Sequence, residues 1–195
     1  MNTVEHIVDC YFRMCRHCFT TNDVKVIGGN NRQLDLLAVN LTDGNQYHVE
    51  SSVTHSWEWF SGATDLCAEL DRKFFGIPLP NAGENSDFSK GKTYQAQIEN
   101  TYKIFGLNPV DLKRVYCLWF TPVFAGLNGQ LEEYSNRRGV RAIEILSFRV
   151  TVLPYLESAV GTANYEDEVL RTLSLQLQRR QQLAKLAGPN AHPIK

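Results

Sequence analysis

Apolar residues recur at three- and four-residue steps through Val4, Ile7, Val8, Tyr11, Phe12 and Cys15, which predicts an opening helix over about Thr3–Cys18. Asn2 or Thr3 can cap it, and Glu5 falls in the first turn, where the helix dipole favours an acid. Shorter apolar runs bounded by turn residues follow. Val24–Ile27 reads as a short strand ended by Gly28-Gly29-Asn30-Asn31, Gln33–Asn40 as a second strand and Gln46–Thr54 as a third. Between the last two, Thr42-Asp43-Gly44-Asn45 signals a hairpin, because Asp-Gly supplies the positive φ angles of a type I′ turn.

A helical region from Trp57 to about Phe75 is broken by Ile77-Pro78-Leu79-Pro80, and the polar stretch 81–92 reads as a loop. A helix over Thr93–Phe105 follows, with Gly106 as its C-cap. Lys113–Phe120 and Val140–Ser147 read as buried strands. The chain closes with helical segments at Phe148–Ser158, with Pro154 inside, and Tyr165–Leu186. This order predicts an α/β arrangement with a mixed sheet. It divides into an α/β domain over 1–160 and a C-terminal helical extension over 161–195.

At 195 residues, 43% hydrophobic and 21% charged, the chain has the composition of a packed domain rather than of a disordered one. No run of 18 apolar residues suggests a membrane span. The opening MNTVEHIVDC lacks the basic-then-apolar pattern of a signal peptide. Five cysteines, an odd number, do not suggest a disulfide framework, and the expectation is a cytoplasmic protein. Cys15-x-x-Cys18, with His17 between, has no second Cys/His pair at a zinc-site spacing and reads as two ordinary half-buried cysteines. The net charge of −1 is unevenly spread. Residues 1–112 carry 9 Lys/Arg against 14 Asp/Glu, and residues 113–195 carry 11 against 7. An acidic half suits a metal site and a basic half suits phosphates; an ordinary uneven distribution accounts for it equally well.

The chemistry concentrates between Gly28 and Thr54. Strand alternation puts Glu50 and Ser52 on one face. A two-residue turn at Asp43-Gly44 would pair Thr42 with Asn45, set Asp35 opposite Ser52 and leave Glu50 diagonal to it on the same face. Leu34, Leu36 and Ala38 would face the other side. Two neighbouring carboxylates repel when ionised, and a hard divalent cation relieves that repulsion. A salt-bridged structural pair would look the same in sequence.

Glu5 on the opening helix, Gln33-Leu34-Asp35-Leu36-Leu37-Ala38, and Tyr47-His48-Val49-Glu50-Ser51-Ser52-Val53 together resemble the PD-(D/E)XK nuclease superfamily. The flavour is that of Mrr-like restriction endonucleases and Holliday junction resolvases. The motifs cover residues 1–55, and the likeness extends through the later strands by element order alone. It implies a restriction-endonuclease-like mixed central sheet flanked by helices, with extra C-terminal helices here. It implies Mg²⁺ (or Mn²⁺) on Asp35, Glu50 and the Ser51 carbonyl, with Glu5 as a third acid, and cleavage of DNA or RNA. Members often act as symmetric dimers, which makes a homodimer an expectation by analogy.

Two positions depart from the pattern. Leu34 replaces the proline, and Ser52 stands where the family has its lysine. A hydroxyl can bind water but carries no charge. Lys73 is the candidate for a lysine relocated to a helix, a solvated lysine being the alternative. An inactive nuclease-like module that binds nucleic acid or a protein is the second reading of the whole motif. Gln33 shares the face of Asp35 and is a further candidate site residue. His48 reads as a hydrogen-bonded sheet residue, and His55 could touch a phosphate. Trp57 and Trp59 could stack on bases or pack in a core. Arg137, Arg138 and Arg141 could grip a phosphate backbone or sit in a solvated loop.

Overall fold

A computed structural model describes residues 2–29, 31–53, 60, 62–77, 93–122 and 125–187. Five strands lie side by side in chain order: β1 (Cys18–Lys25), β2 (Gln33–Asn40), β3 (Gln46–Ser52), β4 (Lys113–Leu118) and β5 (Glu144–Ser147). The first three form an antiparallel meander, whereas β3, β4 and β5 run parallel. Parallel neighbours need crossovers. Helices α2 (Ala63–Phe75) and α3 (Gln95–Ile104) lie between β3 and β4, and α4 (Leu127–Arg138) lies between β4 and β5. Helix α1 (Thr3–Met14) precedes the sheet; α5 (Leu153–Val160) and α6 (Glu168–Ala187) follow it.

Alternation along β4 separates the two helical layers. Val115 and Cys117 join Leu36, Ala38, Tyr47 and Val49 under Val8, Tyr11 and Phe12 of α1. Tyr116 and Leu118 face the other way, under Leu66, Leu70 and Phe74 of α2 and Leu131 and Tyr134 of α4. On that second face α3 covers the β1–β2 end, with Ile98 and Tyr102 against Val24, Leu34 and Leu37. The fold is thus α/β, a mixed sheet with helices on both faces. Helix α6 docks through Leu170 onto Cys10, Leu156 and Val160.

Several elements differ from the pattern-based expectation. Helix α1 ends at Met14, because His17 takes a left-handed conformation (φ 53°) and turns the chain into β1. The expected strand at Val24–Ile27 overlaps the longer β1 only at Val24-Lys25, and the Cys18-Phe19-Thr20-Thr21 half of β1 carries little apolar alternation because it lies on a sheet edge. The β2–β3 register also differs. Leu36 pairs with Val49 and Ala38 with Tyr47, and Asn40 N bonds Asn45 O at 2.9 Å, so the turn spans four residues rather than two. The pairing ends at Leu36–Val49; counted one step on, its numbering aligns Asp35 with Glu50 rather than Ser52, and Asp35 bonds Ser51 N. The shift is two residues, so the faces are unchanged.

Leu36 and Ala38 share one face as expected, here packed under α1, but Leu34 packs with Leu37 on the opposite side. The β1–β2 ladder skips Asp23 and Asp35, and Asp23 has φ 50°, a break at which β2 reorients its start. Helix α4 was not expected, and it places Arg137 and Arg138 in a helical last turn rather than a loop. Phe148–Val152 form a π-helical turn, and Pro154 then sits in the first turn of α5, where its missing N–H costs nothing.

Candidate active site

Asp35 is delivered by β2 and Glu50 by β3. Ser51 N donates to Asp35 Oδ2 at 2.8 Å and Ser51 Oγ to the same oxygen at 3.3 Å. Glu50 is buried, 2% exposed, with a partner on each oxygen. His48 Nε2 lies 2.8 Å from Oε1, and Lys73 Nζ donates to Oε2 at 3.1 Å. Lys73 comes from the last turn of α2.

That turn is held in place. Arg32 donates to the carbonyls of Arg72 and Lys73, satisfying acceptors that the helix end leaves open. Gly76 caps the helix at φ 61°, and a Cβ there would stand 2.8 Å from the Tyr94 Cβ. A side chain at this position would therefore be strained by conformation and crowding at once.

Behind Glu50 runs a buried chain. Tyr102 of α3 places its hydroxyl 2.7 Å from His48 Nδ1. The His48 ring meets Phe74 edge-on at 4.9 Å. Burial holds the His48 pKa below its usual value, against the pull of Glu50, and Arg114 and Arg32 add to the lowering. A neutral imidazole then donates from Nε2 to Glu50 and accepts from Tyr102 at Nδ1. Glu50 receives a hydrogen bond from His48 rather than a second positive charge; its cation is Lys73.

The two carboxyls are pushed apart in pKa. Burial first, and the Glu50 charge after it, raise Asp35 to about 6 against the opposing pull of Lys73 and the Ser51 N–H. Burial also acts to raise Glu50, but the His48 hydrogen bond and Lys73 outweigh it, leaving Glu50 below the usual range. Desolvation acts to lower Lys73, yet Glu50 and Asp35 keep it above its ordinary value, so it remains an ammonium. Glu50 is therefore balanced by direct contact with a cation, whereas Asp35 is compensated only in part, by the charge of Lys73 and the Ser51 bonds. The donors are all oxygens, Asp35 Oδ1 has none of the Ser51 bonds, and a further positive charge would relieve Asp35. That set fits a hard divalent cation.

The remaining expected residues are dispersed. Glu5 closes a capping box, its carboxylate accepting from Asn2 N at 2.7 Å and Asn2 Nδ2 at 2.6 Å, while its charge contributes to raising Asp35. Gln33 is exposed at the start of β2, opposite Lys25. Ser52 ends β3, half-buried and paired with Leu118. Arg138 bonds Asp71 at 2.5 Å and lies over Phe75, and Arg141 donates to the Asp111 carbonyl. Thr54, His55, Trp57, Glu58 and Trp59 lie outside the described residues, as does the whole 81–92 stretch. All five cysteines are free, Cys18 buried and Cys15 half-buried.

Tyr102 and Arg32 are the site residues that sequence reasoning missed. Tyr102 gave one signal, its place one turn beyond Ile98 on an inward helix face; Arg32, before β2, gave none. Among the described residues no helix is long and apolar enough to cross a membrane. Comparison with protein-family models, with curated proteins and with solved structures finds no match.

Proposed function

We propose that the chain is a metal-dependent nuclease of the PD-(D/E)XK type, restriction-endonuclease-like in its sheet, that hydrolyses phosphodiester bonds in nucleic acid, DNA foremost. The observation that carries this reading is the Lys73–Glu50 contact beside Asp35. It brings a lysine to the motif glutamate from a neighbouring helix, although Ser52 occupies the usual position.

Asp35, Glu50 and the Ser51 carbonyl would hold Mg²⁺ (or Mn²⁺), which supplies positive charge for the phosphate oxygens and lowers the pKa of water. Glu50 is fixed by His48 and, through it, by Tyr102. Lys73 stays protonated, so it acts as a cation and hydrogen-bond donor towards the attacking water or the phosphate, not as the base. Water gives up a proton to solvent as it adds to phosphorus, the P–O bond to the leaving oxygen breaks, and that oxygen takes up a proton from solvent. A homodimer would place two such sites on the two strands of a duplex.

The test is cleavage of plasmid DNA, single-stranded DNA and RNA with Mg²⁺ or Mn²⁺, for wild type, Asp35→Ala and Glu50→Ala. Cleavage by the wild type alone, and only with metal, is expected. Cleavage in a chelator, or undiminished cleavage by both variants, overturns the proposal. Ser52 favours the reading of a binding module without catalysis, and nucleic-acid binding with no cleavage under any condition would select it.

A further inference from the structure

We propose that His6, Cys10 and Asp167 form a second metal site, separate from the carboxylate pair, that takes a borderline-soft divalent transition cation such as Zn²⁺ and fastens α6 to α1. His6 and Cys10 are four residues apart on α1 and so share a face. Asp167 precedes α6. One ligand atom from each of the three lies within 4.8 Å of the others.

The acid is already oriented. Its Oδ1 accepts from Val169 N and Leu170 N, each at 3.0 Å, which leaves Oδ2 aimed at His6 Nε2, 2.7 Å away. Support of this kind behind a ligand fixes its direction and raises affinity. Cys10 is completely buried, which rules it out as a nucleophile towards an outside substrate but suits it as a structural ligand. Burial pushes its thiol up to about 11, so a cation must displace the proton. Arg13, with its guanidinium 3.4 Å from Sγ, favours the resulting thiolate. His6 and Asp167 are each 26% exposed, so the cluster has one open edge through which an ion enters and a water completes a tetrahedral shell.

The donor chemistry separates the two sites. Sulfur, imidazole nitrogen and one carboxylate oxygen select Zn²⁺ or Co²⁺, whereas the oxygen-only set at Asp35 and Glu50 selects Mg²⁺ or Mn²⁺. Binding replaces the His6–Asp167 hydrogen bond by two metal bonds and gives the α1–α6 contact, otherwise made through Leu170 and its neighbours, a polar anchor.

The experiment is a Co²⁺ titration of the metal-stripped full chain, followed by absorbance. One equivalent should produce tetrahedral d–d bands and a thiolate-to-cobalt charge-transfer band, reversed by Zn²⁺. Cys10→Ser should lose the charge-transfer band. His6→Gln, which alters only the half-exposed edge, should bind Co²⁺ at least about tenfold more weakly, and it carries the test if Cys10→Ser does not fold. Asp35→Ala should leave the spectrum unchanged, which keeps this site's fate independent of the nuclease reading. Absence of the charge-transfer band in the wild type at excess Co²⁺, or a band unaltered in Cys10→Ser or His6→Gln, overturns the proposal.

Discussion

Lys73 Nζ lies 3.1 Å from Glu50 Oε2, across 23 residues of chain and from a different layer of the fold. The contact predicts a division of labour. Lys73→Ala should reduce single-turnover cleavage on the order of a hundredfold, the scale for removing one preorganised donor from a transition state. Mg²⁺ affinity should not fall, since an ammonium is no ligand and its removal eases cation entry. Ser52→Lys in the Lys73→Ala background should recover part of the rate, because position 52 lies on the face of Glu50. Equal rates for wild type and Lys73→Ala would end the case for a relocated lysine.

Tyr102→Phe tests the buried chain. Only the hydroxyl that fixes His48 is removed, so the fold should persist. Loss of support one step behind a ligand typically lowers affinity or activity by about 10–100-fold. Calorimetric Mg²⁺ titration and cleavage rates should both move in that range. Unaltered values would reduce Tyr102 to a packing residue.

Asp35 predicts a pH dependence of stability without metal. Its folded pKa, about 6, exceeds the ordinary 3.8, so between these values the folded state binds more protons than the unfolded one. Stability therefore falls as pH rises through that window, and the loss is complete above about pH 6. Asp35→Asn should lack it and be more stable than wild type at pH 8 by roughly 3 kcal/mol, with no advantage below pH 4. Urea unfolding in a chelator at both pH values measures this. Wild type and variant differing equally at both pH values would remove Asp35 as the cause.

Gly76→Ala should destabilise the protein by about 1–3 kcal/mol, combining a left-handed backbone with a Cβ crowded against Tyr94. The cap lies three residues beyond Lys73, so cleavage should fall further than the residual folded fraction explains. Urea unfolding paired with activity at full folding separates the two effects.

Alternation made the convergence of Asp35 and Glu50 legible but misplaced Leu34, which lies before the break in the β1–β2 ladder. The register was not legible, because Asp43-Gly44 serves a four-residue loop as well as a two-residue turn. What decides is side-chain bonding within the loop, Asn40 Oδ1 accepting from Thr42 N at 2.8 Å and Asp43 Oδ1 from Asn45 N at 2.9 Å. Lys73 was legible as a candidate only, since its contact depends on how α2 crosses the sheet. Tyr102 and Arg32 act through tertiary contacts that no local pattern encodes. Helix α4 was hidden because Leu127, Leu131 and Tyr134 are its only large apolar inward positions in a mostly polar segment flanked by glycines.

The antiparallel meander closes through short turns, while α2 arrives by a crossover, and this sets an order of assembly. Local strand pairing has the lower loop-closure entropy, so β2 and β3 meet early and bring Asp35 towards Glu50 before the helix that carries Lys73 has docked. Two like charges then resist the hairpin that joins them. Docking of α2 removes the resistance, which couples completion of the sheet to arrival of the cation. An early folding intermediate should accordingly form faster at acidic pH or with divalent ions present, as if the carboxylate pair were also a timer for the chain that builds it.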